Sequence, residues 1–215
     1  MEITSSKPYF RWLKINLNPK KWLDINLDRL SKQIAQIQNL VVSATADELH
    51  AAPPMEAAWM WYPEGDPTQS VSADTCYFIR PIIIPNKKLE SAELIAWADD
   101  IAKLYVNGKS VFTVDYGDAP KQRNVKEYLH PEQNILAVEA KNFMPGAACV
   151  VLELRLTYSD GTKETITADN LWRVTKQNVP NWVNTLPSPV DTNWIEIKVL
   201  GKGLISPWAV RIDWP

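Results

Sequence analysis

SAELIAWADDIAKLYVNGKSVFTVDY, which runs from Ser91 to Tyr116, is the stretch that decides the fold. Apolar and mixed positions alternate from Leu94 to Ala98, as a half-buried β-strand requires. Asp99-Asp100 interrupts this pattern, and Asn107-Gly108 supplies the two residues of positive φ that a tight hairpin turn needs. The stretch therefore predicts a strand, an acidic turn, a strand, an Asn-Gly turn and a strand. Nothing in it indicates a catalytic centre.

The same pattern continues through most of the chain. After Pro54, short apolar runs alternate with turn clusters such as Pro145-Gly146, and no helical periodicity lies between them. Many short strands at this spacing indicate an antiparallel β-sandwich of the jelly-roll type. We therefore predict a mainly β domain over residues 56–215. The stretch from Asn178 to Asn193, with three Pro and Trp182, predicts an ordered excursion across the domain surface.

Residues 1–55 differ and predict an N-terminal extension with one amphipathic helix at about 19–50. Asn18-Pro19 is a suitable helix start, and Pro53 disfavours helix in the residue before it. Six apolar residues then repeat at the 3.5-residue spacing of a coiled-coil seam. They are Leu23, Leu27, Leu30, Ile34, Ile37 and Val41. Two interpretations remain open: the helix packs on its own sandwich, or it pairs between subunits or docks on a partner.

Composition excludes several function classes. The chain has 215 residues, a net charge of -2 and a pI near 5.8, which gives no electrostatic footprint for nucleic acid. No stretch approaches the roughly 20 apolar residues of a membrane span, and the N-terminus lacks the features of a signal peptide. We therefore expect cytoplasmic synthesis with an unknown final location, a virion included. Ten Trp are many for this length, and such rings either fill a core or line a sugar-binding surface.

Side chains suited to catalysis are few. His50 and His130 are far apart in the sequence, and no Ser lies in a nucleophile elbow. Glu139 and Glu153 lie in neighbouring strand-like runs and could face one another, as a carboxylate pair for glycoside hydrolysis would. We interpret each instead as facing solvent. The two cysteines, Cys76 and Cys149, lie in apolar runs, where they form either two buried free thiols or one disulfide. We therefore expect no enzymatic activity and no zinc site.

Five segments in order resemble a known family. They are AWMWYPEG (58–65), CYFIRPIIIP (76–85), AELIAWADDIAKLYVNGKSV (92–111), NILAVEAKN (134–142) and LELRLTYSDGTKETITADNLWRVT (152–175). This order is similar to that of the galactose-binding-like jelly rolls of glycoside hydrolases, especially the accessory domain of bacterial α-L-rhamnosidases. The resemblance covers 58–208. It implies a β-sandwich that binds carbohydrate in some members and is only a spacer in others, with hydrolysis in a separate barrel that this chain is too short to contain.

Six residues in predicted loops or strand ends are candidates for a sugar site. Two aromatic residues would stack on the sugar ring, and four polar residues would bind its hydroxyls. The aromatic pair is Tyr116 and Trp182, and the polar residues are Asp99, Asp100, Arg123 and Asn142. Asp99-Asp100 has two further interpretations, as turn residues that cap backbone amides and as oxygen ligands of a structural Ca²⁺ ion. We expect no other cofactor.

These observations predict a non-catalytic sandwich that binds a glycan or a protein. A carbohydrate-binding or adhesion module is the first interpretation. The alternative is a structural protein, for example a virion tail, fibre or capsid-decorating component, with the helix setting a homo-oligomer or a larger assembly. The absent signal peptide disfavours an ordinary secreted lectin. The ending at Trp214-Pro215 disfavours a fragment of a hydrolase.

Overall fold

A computed structural model describes residues 57–208 and 214–215. The predicted N-terminal extension over 1–55 and its helix at about 19–50 lie outside the described residues. The same holds for the six proposed seam residues from Leu23 to Val41 and for His50. They remain predictions.

Twelve strands make up most of the described chain. The strands are β1 (Ala58–Trp61), β2 (Asp74–Ile84), β3 (Leu89–Asp99), β4 (Ile101–Val106), β5 (Lys109–Asp115), β6 (Lys121–Asn124), β7 (Glu132–Asn142), β8 (Cys149–Tyr158), β9 (Lys163–Ile166), β10 (Arg173–Thr175), β11 (Ile195–Glu196) and β12 (Lys198–Lys202). Within the described residues, helix is limited to a 3₁₀ turn at Lys126–Tyr128.

The strands form two antiparallel sheets, as the sequence predicts. Sheet 1 has the order β12-β1-β8-β3-β6, with β9 also paired to β8, and sheet 2 has the order β11-β10-β2-β7-β4-β5. In sheet 1 the longest pairing joins β3 to β8, and in sheet 2 it joins β2 to β7. The mainly β, antiparallel architecture is therefore confirmed.

The core lies between the two sheets. Alternate residues of each strand point inward, and large apolar side chains from both sheets pack there with no measurable exposure to solvent. Leu94 and Leu152 come from sheet 1, whereas Phe78, Leu104 and Val138 come from sheet 2. This is the alternation that the sequence shows, because successive side chains of a strand point to opposite faces.

The outer face of sheet 1 is buried as well, which differs from the half-buried strand that the sequence predicts for β3. Trp59 and Trp97 point away from the core and pack with Cys149, Trp208 and Trp214. The rings of Trp59 and Trp208 are stacked, with centroids 5.2 Å apart and planes 12° apart. The physical reason for the difference is a C-terminal cover, consisting here of 204–208 and 214–215, whose apolar residues shield this face from water.

A second cover shields the outer face of sheet 2. Val179, Trp182 and Trp194 pack on Tyr77 and Ile79 of β2. The segment 178–194 is thus the ordered excursion that its Pro and Trp content predicts. We call it the loop cover.

Two amide side chains organise the end of the sandwich at the β4–β5 hairpin. Asn107 and Gly108 have φ of 48° and 75°, so the predicted Asn-Gly turn is confirmed. Asn134 is 1% exposed, and its Oδ1 accepts hydrogen bonds from Asn107 Nδ2 and from the His130 backbone N–H, both at 2.8 Å. Its Nδ2 donates to the backbone carbonyls of His130 and Glu132.

Replacement of Asn134 by Ala should therefore be costly. The variant removes four hydrogen bonds of a buried amide, which we expect to lower the free energy of unfolding by roughly 2–4 kcal/mol. Urea denaturation measures this value. Asn178→Ala is the control, because Asn178 is exposed, and its effect should stay within about 0.5 kcal/mol. Equal effects of the two variants would contradict the network.

The two thiols are free and buried, which decides between the two interpretations that the sequence leaves open. Burial raises the pKa of Cys76 to about 12 and that of Cys149 well above its ordinary value. Because the thiolate is the reactive form, neither should react with a disulfide reagent at pH 8 while the protein is folded. Both should react in denaturant without a reducing agent. A fast native reaction, or fewer than two thiols in the unfolded chain, would contradict this assignment.

Candidate functional site

Four of the six predicted site residues meet at one end of the sandwich. Asp99 is the last residue of β3, and Asp100 forms the turn into β4. The first residue of β4 is paired with the last residue of β5 and the penultimate residue of β7. Tyr116 and Asn142 therefore lie beside the acidic turn. We call this group the acidic corner.

Asp99 ties the acidic corner to the C-terminal cover. Its Oδ2 accepts a hydrogen bond of 2.7 Å from Trp208 Nε1, and Trp208 in turn stacks on Trp59. Across the sheet Asp99 is paired with Cys149. Burial, followed by the nearby Asp99 carboxylate, raises the pKa of the Cys149 thiol, which stays protonated.

Asp100 holds the neighbouring loops. Its Oδ2 accepts a hydrogen bond of 2.7 Å from the Phe143 backbone N–H, and its carbonyl accepts one of 2.6 Å from the Tyr116 backbone N–H. The carboxylate thus caps a backbone amide, one of the roles that the sequence predicts for this turn. Asp100 is nevertheless partly exposed.

Tyr116 and Asn142 differ in exposure. Tyr116 is half-buried and packs against the outer face of sheet 1, with its ring centroid 5.8 Å from that of Trp97. Asn142 is only 2% exposed and donates a hydrogen bond of 3.1 Å from Nδ2 to the Ser72 carbonyl. The structure therefore places the Asn142 amide inside the scaffold and leaves the Tyr116 ring at the rim.

The other two predicted residues lie elsewhere. Arg123 is on β6 opposite Leu94 and donates from Nη1 to the Val111 carbonyl at 2.8 Å. Trp182 is part of the loop cover on sheet 2, is 7% exposed and packs edge-on against Tyr77 at 5.1 Å. The six residues therefore do not form one site.

Two exposed residues beside Asp100 were not predicted. Phe143 and Met144 are 53% and 73% exposed. The Lys141 ammonium lies 5.1 Å from the centroid of the Phe143 ring. The sequence does carry a signal for them, because two large apolar residues stand directly before the Pro145-Gly146 turn. Side chains in such a turn do not fill the core.

Glu139 and Glu153 do not face one another. Glu139 lies on the outer face of sheet 2, where its Oε2 accepts a hydrogen bond from the Tyr105 hydroxyl at 3.2 Å. Glu153 lies on β8 in sheet 1 and is 2% exposed, in an ion pair of 2.6 Å with Arg155. The expectation that Glu153 faces solvent is wrong, because the outer face of sheet 1 is covered.

Metal ligands are also sparse in the part of the chain that the structure describes. No three His, Cys, Asp or Glu side chains among residues 57–208 and 214–215 lie together in one cluster. No helix in the same residues has the length and apolar character of a membrane span.

The Asp99–Trp208 contact can be measured with a double-mutant cycle. Trp208→Phe keeps a ring on Trp59 but removes the indole donor, and Asp99→Ala removes the acceptor. Because hydrogen bonds to charged groups contribute about 1.5–3 kcal/mol, we expect the two changes to be non-additive by more than about 1 kcal/mol in unfolding free energy. Strict additivity, within about 0.5 kcal/mol, would show that the bond contributes nothing.

Known proteins that are similar to this chain include an α-L-rhamnosidase and a lectin. No family model matches the chain. An α-L-rhamnosidase of Streptomyces avermitilis is 31% identical over 176 residues, which is 78% of this chain and 17% of that protein. The chain thus spans about one sixth of that relative's length.

Solved structures agree. The Streptomyces avermitilis α-L-rhamnosidase complexed with L-rhamnose matches 73% of this chain and 16% of its own, with a TM-score of 0.65 and 30% identity. A lectin from Pleurotus ostreatus in complex with GalNAc matches 71% of this chain and 46% of its own, with a TM-score of 0.59 and 27% identity. These matches give no support to the virion or structural alternative. The described domain is a β-sandwich that resembles the galactose-binding-like accessory domains of α-L-rhamnosidases.

Proposed function

We propose that the sandwich is a non-catalytic carbohydrate-binding module whose sugar site is the acidic corner. Two similar structures support the ligand class, since one is a rhamnosidase complexed with L-rhamnose and the other a lectin in complex with GalNAc. The chain matches only a small part of the rhamnosidase, so we do not extend the activity of that enzyme to it. The separation of Glu139 and Glu153 also supports a binding role.

The observation that carries the proposal is the pairing of a partly exposed carboxylate with exposed apolar side chains. Asp100 can accept hydrogen bonds from sugar hydroxyls, and charge-assisted bonds of this kind are about twice as strong as neutral ones. Phe143, beside it, offers a ring that is 53% exposed. A sugar needs both, because it has a C–H side that packs on apolar surface and hydroxyls that need polar partners.

The acidic corner is held in place before any ligand arrives. Asp100 fixes the backbone at Phe143 and at Tyr116, and Asp99 is anchored on Trp208. Binding to such a site loses little conformational entropy, which favours affinity. Asp99 and Asn142 therefore act in the proposal as supporting residues and not as sugar contacts.

The proposal includes a structural Ca²⁺ ion at this position. Asp99 and Asp100 have carboxylate oxygens, and Oδ2 of each accepts a hydrogen bond, from Trp208 and from Phe143 respectively. Ca²⁺ takes about 6–8 oxygen ligands, so backbone carbonyls, water or sugar hydroxyls would have to complete its shell. A chelator tests this point directly.

Calorimetric titration with GalNAc and with L-rhamnose tests the proposal. Phe143→Ala removes the ring but keeps the backbone N–H that Asp100 binds, and we expect affinity to fall about tenfold, equivalent to 1.4 kcal/mol. Asp100→Asn keeps a hydrogen-bond acceptor but loses the charge and should also weaken binding. Leu171→Ala is the control. Leu171 is 50% exposed and lies just before β10, away from the acidic corner.

Two outcomes would contradict the proposal. In one, the wild-type chain binds neither sugar, with or without added Ca²⁺. In the other, Phe143→Ala and Asp100→Asn bind as tightly as Leu171→Ala. Loss of binding in EDTA with recovery on adding Ca²⁺ would assign the ion to the site, and unchanged binding in EDTA would remove it.

The role of the N-terminal seam is a separate proposal. Leu23, Leu27, Leu30, Ile34, Ile37 and Val41 would form an intermolecular contact that makes the module multivalent. The support is the narrow 3.5-residue stripe, since a helix on its own domain usually shows a broader one. Multivalency would raise the avidity for a repeated glycan without any new contact.

A further inference from the structure

The opposite end of the sandwich carries two adjoining cavities that share His130. The first, of about 490 Å³, is lined by Asn107, His130, Gln133, Ile135, Asn184, Thr185 and Leu186, and we call it the amide cavity. The second, of about 270 Å³, lies between the β2–β3 turn and the segment that follows the 3₁₀ turn, and we call it the lysine cavity. Leu89, at the start of β3, lines the lysine cavity. Because β3 ends at Asp99 and rises about 3.3 Å per residue, these cavities lie far from the acidic corner.

The lysine cavity is positively charged without compensation in its walls. Lys87, Lys88 and Lys126 line it together with His130, and no carboxylate is among the described residues that line either cavity. Asp160 pairs with Lys87 at 2.8 Å. Lys88 and Lys126 are exposed, and their ammonium groups are available to an anion. The whole chain has a net charge of -2, so this positive cavity does not simply reflect the overall charge.

The amide cavity has the mixed chemistry that suits sugar hydroxyls. Gln133 and Asn184 each offer an amide donor and acceptor, and Thr185 offers a hydroxyl. Ile135 and Leu186 supply apolar wall. Convergent polar groups on an apolar wall are typical of small-molecule sites.

Two contacts shape the walls of the amide cavity. Asn184 lies directly over the Asn107-Gly108 turn, where a Cβ added to Gly108 would stand 1.7 Å from Asn184 Oδ1. The turn can therefore carry only glycine while Asn184 keeps this position. His130 is fixed from the other side, because Asn134 binds both its backbone N–H and its carbonyl at 2.8 Å.

We propose that the two cavities together form a second saccharide site, which takes an acidic sugar. The carboxylate of a uronic acid binds Lys88 and Lys126 in the lysine cavity, and the hydroxyls of the adjoining residue bind Gln133, Asn184 and Thr185 in the amide cavity. The choice of a saccharide rests on the proposed function. The choice of an acidic one rests on the lysines alone.

The test compares a galacturonic acid trisaccharide with the neutral galactose trisaccharide by calorimetry on the full chain. We expect the acidic probe to bind more tightly, and its affinity to fall as ionic strength rises. Lys88→Gln combined with Lys126→Gln should lower the affinity for the acidic probe about tenfold or more, a change of at least about 1.4 kcal/mol in binding free energy. Lys103→Gln combined with Lys202→Gln removes the same charge from exposed positions elsewhere and should have little effect.

Further variants separate this site from the acidic corner. Gln133→Ala should lower the affinity for the acidic probe and leave the affinity for GalNAc unchanged. Phe143→Ala should lower the affinity for GalNAc and leave the affinity for the acidic probe unchanged. If Phe143→Ala instead abolishes binding of the acidic probe, the acid binds at the acidic corner, and the second site is wrong while the proposed function stands.

Four other results bear on the inference. Equal affinity for the acidic and neutral trisaccharides would overturn it, as would equal losses in the two double-lysine variants. Displacement of the acidic probe by inorganic phosphate at equal concentration would show an unspecific anion site and would also overturn it. Lysine-dependent binding of the acidic probe in a chain that binds neither GalNAc nor L-rhamnose would uphold the second site and reject the acidic corner.

Discussion

The stack of Trp59 on Trp208 is the contact on which the arrangement of this domain depends. The outer face of sheet 1 carries Ile95 and Trp97 of β3 and Val151 of β8 beside Trp59, and without a cover these side chains would form an apolar patch in water. The C-terminal cover solves this problem for sheet 1 with Trp208 and Trp214, and the loop cover does the same for sheet 2 with Trp182 and Trp194. Most of the ten Trp are therefore packing residues.

The two covers occupy part of each broad face. Loops meet over a rigid scaffold at the two ends of the sandwich, and such loops commonly carry binding residues. The acidic corner occupies one end, and the amide and lysine cavities occupy the other. At the acidic corner the cover and the proposed site are physically joined, because Trp208 both stacks on Trp59 and donates its hydrogen bond to Asp99. A substitution in the C-terminal cover should therefore alter the acidic corner as well.

Local patterns in the sequence predicted the strands well and the site only in part. The strand at Leu94 to Ala98 and the Asn107-Gly108 turn are predicted from short-range signals, and both are confirmed, although β3 is buried on both faces and not on one. The outer faces are covered by segments about 100 residues away in the sequence, as Trp208 covers β3. The sequence of the covered strand itself does not indicate this cover. For this reason the sequence predicts Glu153 in solvent and Trp182 in a sugar site, although both are buried. Asp99 and Asp100 were found because an acidic pair interrupts a strand, whereas Phe143 carried no periodic signal.

The most direct test of the central claim is to locate the bound sugar by NMR. Titration of isotopically labelled protein with GalNAc or L-rhamnose should shift the backbone amides of Asp100, Phe143 and Met144 and the indole N–H of Trp208. The indole signal of Trp182 and the amide of Arg123 should stay unchanged. Shifts centred on Trp182 or on Arg123, or saturating shifts that leave the acidic corner untouched, would contradict the account.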